Sequence, residues 1–109
     1  MAERTVAPSR FLPVVVNIAA INANLKVVFA GGKRITIWQI WLYNQVAQNI
    51  QFFANGRALV GPLGAFPNTS AISLPFTGAP HFELRDGEDF EIGTSAATQL
   101  SGFINYLVE

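Results

Sequence analysis

From residue 11 onward, short apolar runs alternate with clusters of Gly, Pro and Asn. The most apolar run is Arg34–Tyr43, which reads Arg-Ile-Thr-Ile-Trp-Gln-Ile-Trp-Leu-Tyr. With a period of two, one face carries Ile35, Ile37, Gln39, Trp41 and Tyr43, and the other carries Thr36, Trp38, Ile40 and Leu42. Neither face is polar, so the pattern predicts a strand packed on both sides. A helix over 38–53 is the competing assignment. It lacks a cap at its start, and β-branched and aromatic residues crowd its first half.

The other runs read as strands too. Phe11–Ile18 contains Val14, Val15 and Val16, and Pro13 assigns it to an edge or a strand start. Leu25–Ala30 ends at Gly31-Gly32, a hairpin signal leading into Arg34–Tyr43. Ile50–Ala54 and Arg57–Val60 flank Asn55-Gly56, whose residues accept the positive φ of a tight hairpin. The stretch 61–70, rich in Gly and Pro, reads as a loop with Leu63 and Phe66 folded inward. Ala71–Phe76 alternates weakly, and Pro75 sets it at an edge or near a strand end. His81–Ile92 predicts two half-exposed strands around Asp86-Gly87. Leu100–Val108 places Leu100, Gly102, Ile104, Tyr106 and Val108 on one face and Phe103 and Leu107 on the other, with Gly102 marking a bulge or a close backbone approach.

About eight short strands and no helix define the expected fold class: all-β, an antiparallel β-sandwich or jelly roll. Residues 1–10 are polar and aperiodic and read as an extended N-terminal arm that lies against a neighbour; residues 11–109 form one sandwich domain.

Composition adds a surplus of apolar surface. The 109 residues are 50% hydrophobic and only 13% charged, against about 25% charged in an average soluble domain. Surplus apolar surface on a small protein marks partner contacts, so a homo-oligomer or a larger assembly is expected. Seven basic and seven acidic residues give a formal net charge of zero. The basic residues are scattered, which argues against a nucleic-acid footprint. There is no cysteine, so disulfides and thiolate chemistry are excluded and the compartment is left open. No apolar run is long enough for a membrane helix. Glu3, Pro13 and Asn17 disfavour a signal peptide at the start of the chain.

Catalytic equipment is sparse. A Ser-His-Asp set would have to use His81, the single histidine, which follows Pro80 in a turn without a nucleophile elbow; a surface or interface role fits better. Asp86, Glu88, Asp89 and Glu91 offer oxygen ligands, but their spacing departs from a calcium loop, and a solvated acidic rim is the simpler reading. Gly61-Pro62-Leu63-Gly64 lacks the Lys-Ser/Thr and the helix of a phosphate loop. No enzyme activity, cofactor or metal is expected.

Several segments, taken in order, resemble small jelly-roll proteins of tailed bacteriophages. They are Val27-Val28-Phe29-Ala30-Gly31-Gly32-Lys33-Arg34-Ile35, Leu59-Val60-Gly61-Pro62-Leu63, Ile72-Ser73-Leu74-Pro75-Phe76, Gly87-Glu88, Ser95-Ala96-Ala97 and Leu100-Ser101-Gly102-Phe103-Ile104-Asn105-Tyr106. The resemblance covers about three-quarters of the chain, and the acidic stretch Glu83–Glu91 departs from its pattern. It implies a structural virion protein, assembled in the host cytoplasm. The implied role is a capsid decoration or cement protein that forms a homo-oligomer, commonly a trimer, on the major capsid protein. The alternative is a carbohydrate- or receptor-binding module of a fibre or tail that uses exposed aromatics, with Trp38, Trp41 and Tyr43 as candidates for stacking on sugars, together with the acidic strands. Direct nucleic-acid or membrane contact is not expected. The expected interface residues are Arg4, Arg10, Phe11, Trp38, Trp41, Tyr43, Phe53 and Phe66. Part of the second apolar face of Arg34–Tyr43, or of a neighbouring strand, is expected to be sealed by another subunit.

Overall fold

The computed structural model describes residues 11–45, 48–61, 63–66, 70–96 and 99–109, with residues 22, 23, 63–66 and 70 described in their backbone alone. The proposed arm, residues 1–10, and with it Arg4 and Arg10, lies outside the described residues. Ten strands form: β1 (Leu12–Ile18), β2 (Asn22–Val28), β3 (Ile35–Asn44), β4 (Gln48–Ala54), β5 (Arg57–Ala58), β6 (Leu63–Phe66), β7 (Ser70–Leu74), β8 (Phe82–Glu83), β9 (Phe90–Thr94) and β10 (Leu100–Val108). They make two five-stranded antiparallel sheets packed as a sandwich. Sheet A runs β1-β10-β3-β7, with β8 also on β3; sheet B runs β2-β9-β4-β5, with β6 also on β4. The segment 63–66, read as loop, is thus a strand at the edge of sheet B.

Turn chemistry explains part of this topology. Asn55 (φ 47°) and Gly56 (φ 81°) form the expected tight hairpin between β4 and β5. Gly31 and Gly32 also adopt positive φ, and the Lys33 amide closes their turn onto the Ala30 carbonyl (3.1 Å). This turn is not a hairpin, however. β2 pairs with β9 and β3 with β10, so the chain crosses from one sheet to the other. The turn at Asp86-Gly87 behaves likewise: β8 joins β3 and β9 joins β2 and β4. Period-two patterning specifies which side of a strand is buried and leaves its partner open. β9 is also not half-exposed. It lies between two strands of sheet B, and all five of its residues are buried.

β3 carries a β-bulge. Ile37 pairs with Tyr106 and Gln39 with Asn105, which leaves Trp38 as the extra residue. The bulge shifts the alternation by one position. Ile35 and Ile37 before it, and Ile40, Leu42 and Asn44 after it, are all buried in line with the interior. The uninterrupted reading, with Ile35 and Trp41 on one face and Trp38 and Ile40 on the other, is corrected accordingly. Trp38, Gln39, Trp41 and Tyr43 share the outer side. The bulge also falls where β3 changes partner, from β8 at Thr36–Ile37 to β7 at Ile40–Asn44. Between those partners the chain leaves the sheet over residues 75–81. The excursion is tied back by the His81 amide donating to the Ile37 carbonyl (2.7 Å) and by a His81 Nε2 contact to the Pro75 carbonyl (2.6 Å).

The core lies between the sheets. Sheet A contributes Val16, Ile18, Ile35, Ile37, Ile40, Leu42, Leu100 and Ile104; sheet B contributes Val28, Ile50, Phe52, Phe90 and Ile92; Leu84 fills in from the β8–β9 link. Phe52, Phe82 and Phe90 pack as an aromatic trio with centroids 5.6–6.3 Å apart. Each such side chain contributes about 1.5–3 kcal/mol by leaving water.

Candidate functional site

The two outer faces differ in chemistry. On sheet B the centre is ionic. Glu91 points outward from β9 yet is only 1% exposed, because polar groups cover it. Its Oε1 accepts from the Gly56 amide (2.8 Å) and from Asn24 Nδ2 (3.0 Å), and its Oε2 lies 3.3 Å from Lys26 Nζ. Asp89 accepts from the Ala30 amide (2.7 Å) and from Lys26 Nζ (2.9 Å). Asn55 Oδ1 accepts from Lys26 Nζ (3.2 Å) and from the Asp89 amide (3.0 Å). This network ties β2 and β9 to the β4–β5 turn. Glu88 receives a two-pronged contact from Arg57 (2.6 and 3.0 Å) and accepts from the Arg85 amide (2.6 Å).

The titration of these groups follows their partners. The Ala30 amide, then Lys26, hold the Asp89 carboxyl below the usual carboxylate range. The hydrogen bond from Arg57 does the same for Glu88. Lys26 is raised, chiefly by its bond to Asp89, and Arg57 is raised by Glu88. The acidic stretch is therefore fastened to cations and amides of its own chain. No group of three or more His, Asp or Glu suited to a metal occurs among the described residues.

Over three neighbouring rows the outer face of sheet A mixes apolar and neutral polar residues, while the charge of Glu83 in β8 stands beyond the bulge, opposite Thr36. Strand register sets its residues in rows. One row is Val15–Phe103–Trp41–Ser73 across β1, β10, β3 and β7. On one side lies Pro13–Asn105–Gln39, and on the other Asn17–Ser101–Tyr43–Ala71. None of these eleven positions carries a charge. Val15 is 78% exposed, Trp41 39% and Phe103 36%. The rings of Tyr43 and Phe103 flank that of Trp41, with centroids at 6.4 and 6.3 Å and planes within 22°. Asn105 Nδ2 donates to Gln39 Oε1 (2.9 Å), and Gln99 Nε2 donates to Asn17 Oδ1 (2.5 Å).

Beyond the bulge this face closes on itself. Trp38 is 7% exposed, stacked on Phe11 (5.2 Å) and near Phe76 (6.1 Å), and its Nε1 donates to Thr36 Oγ1 (2.8 Å). Of the expected interface residues, Trp41 and Tyr43 thus stand together on the open part, while Phe11 and Trp38 cover each other within one chain. Phe53 is half-buried on sheet B between Glu91 and Ala58. The side chain of Phe66 lies outside the described residues.

A third feature is the flank formed by β1 and β2, the outermost strands of their sheets, which follow each other in the chain and touch only slightly. Eight large apolar side chains are exposed among the described residues. Five of them, Leu12, Val15, Ile21, Leu25 and Phe29, belong to this flank or its links. Sequence reasoning did not single out these five or Phe103, although the phase of β10 already set Phe103 opposite to Leu100 and Ile104. Edge position was the missing information, and it depends on pairing rather than local pattern.

No family model, curated protein or solved structure matches the chain. The class rests on the fold: an all-β, two-sheet antiparallel sandwich with one ionic face, one face with uncharged aromatic rows and an apolar flank.

Proposed function

We propose that the protein is a non-enzymatic structural subunit of a tailed-phage virion. In this reading it is a capsid decoration or cement protein that self-associates, as a trimer, and seats on the major capsid protein. The observation that carries this reading is the apolar flank. Two strands whose outer edges have no strand partner among the described residues carry or adjoin five exposed large apolar side chains, a surface suited to a second subunit. The strand order adds support. β1-β10-β3-β7 faces β2-β9-β4-β5, and β1, β2, β3 and β4 alternate between the sheets, as in a jelly roll. The acidic residues also accord with a structural role, since Asp89, Glu91 and Glu88 are held by Lys26 and Arg57.

Sedimentation of the purified chain tests self-association. The expected result is an oligomer that dissociates in Ile21→Glu and Phe29→Glu while the fold, read by circular dichroism, persists. A wild-type chain that stays monomeric overturns the assembly reading. Purified particles of the encoding phage test the location: the chain is expected in fixed stoichiometry to the capsid protein, and its absence from intact particles overturns the virion reading.

A further inference from the structure

The uncharged rows on the outer face of sheet A match a ligand of a particular chemistry. Its centre offers three neighbouring rings, of Trp41, Tyr43 and Phe103. Around them stand amides and hydroxyls: Gln39 and Asn105 in the row on one side, Ser101 in the row on the other, and Ser73 at the end of the central row. Asn105 Nδ2 is given to Gln39 Oε1, which leaves Gln39 Nε2 and Asn105 Oδ1 without a partner among the described residues. That pair offers one donor and one acceptor beside the rings.

We infer that this face binds a neutral polysaccharide or oligosaccharide, with sugar rings stacked on Trp41 and its two aromatic neighbours and hydroxyls bonded to the flanking amides. The occupant follows from charge and hydrogen bonding. A polyanion such as nucleic acid gains its affinity from Lys and Arg against phosphate, and the three rows contain neither. An ordinary protein surface brings ions that would be desolvated here without a counter-charge. A purely aliphatic surface would strand the Gln39 and Asn105 amides. An uncharged polyhydroxylated chain meets all three conditions. Its C–H faces cover the rings, its hydroxyls pair with amide and Ser groups, and no ion is buried. The face shares Val15 with the flank proposed to join subunits but not Ile21 or Phe29, whose substitution tests that reading, so the two tests can fail separately.

The test uses the full chain. Depletion from solution by insoluble cellulose, chitin and starch is measured, together with a neutral-glycan array. The soluble oligosaccharide of any responding polymer is then titrated by following tryptophan fluorescence. At least one neutral glycan is expected to bind. Trp41→Ala should weaken binding by at least about tenfold, and Phe103→Ala by less. Tyr43→Phe should retain binding, because it keeps the ring. Melting curves identify any variant that fails to fold, and Gln39→Ala, which leaves the rings in place, then serves as the second probe with an expected loss of several-fold. Three outcomes overturn the inference: no neutral glycan binds, binding survives both Trp41→Ala and Gln39→Ala, or sedimentation shows the wild-type face covered by a second copy that Trp41→Ala releases.

Discussion

The main-chain oxygen of Trp41 occupies the space that a β-carbon on Gly102 would need. Gly102 lies in β10 opposite Leu42, at φ 153°, so β3 and β10 approach each other where no side chain separates them. Gly102→Ala must push the two central strands of sheet A apart. The expected cost is about 3 kcal/mol, from overpacking plus backbone strain. Urea denaturation measures it, and a loss under about 1 kcal/mol would contradict the close approach.

Glu91 holds the β4–β5 turn to β2. Glu91→Ala removes the acceptor of the part-buried bonds from the Gly56 amide and Asn24, at an expected cost of about 2 kcal/mol. Glu91→Gln keeps an acceptor and is expected to lose about half as much. Lys26 is partly exposed, so Lys26→Met should cost less than either Glu91 variant. Chemical denaturation of the three variants checks the order, and a Lys26→Met loss equal to that of Glu91→Ala contradicts it.

Stability should fall on acidification. Asp89 and Glu88 are held below their ordinary values of 3.8 and 4.5. Their contribution is complete above the unfolded values and is lost as pH drops through the lower folded ones. The melting temperature is therefore expected to decline from about pH 4.5 downward. Asp89→Asn should be less stable than wild type near neutrality and show a flatter acid limb. An unchanged acid limb in that variant would remove Asp89 from the account.

The two tryptophans should be separable by light. Trp38 is covered by Phe11 and Phe76, and Trp41 stands on the open face. Trp41→Phe, which leaves only Trp38, should emit at shorter wavelength and resist iodide quenching; Trp38→Phe should show the reverse. Trp38→Ala is expected to cost about 3–5 kcal/mol, like other large aromatic deletions. Equal quenching of the two single-tryptophan variants would refute this placement.

The sandwich class was readable because β-branched and aromatic runs punctuated by Gly, Pro and Asn have few other solutions. Asn55-Gly56 even identified its own hairpin, since its positive φ is a local requirement. The Gly31-Gly32 and Asp86-Gly87 turns show where local reading ends. The same residues serve a hairpin or a crossing between sheets, and the distant partners β9 and β10 decide which. Trp38 shows a second limit. A bulge is settled by two strands together, so its phase shift cannot be seen in β3 alone. Of the candidate face, Trp41 and Tyr43 were legible as aromatic strand residues. Phe103 and Val15 joined them only once register aligned four strands.

The bulge at Trp38 gives β3 an uneven tolerance to changes of length. Removing Trp38 would leave Ile35, Ile37, Ile40 and Leu42 on the inner side, and the strand would lose the stack with Phe11 and Phe76 and the bond to Thr36. Removing Trp41, three positions on, would turn Leu42 and Asn44 outward and reverse the strand's last third. The chain therefore has a seam at one residue of its most apolar strand, where a residue can be dropped without the interior changing sides. That seam also lets two tryptophans three positions apart share one face, which an unbroken strand cannot do.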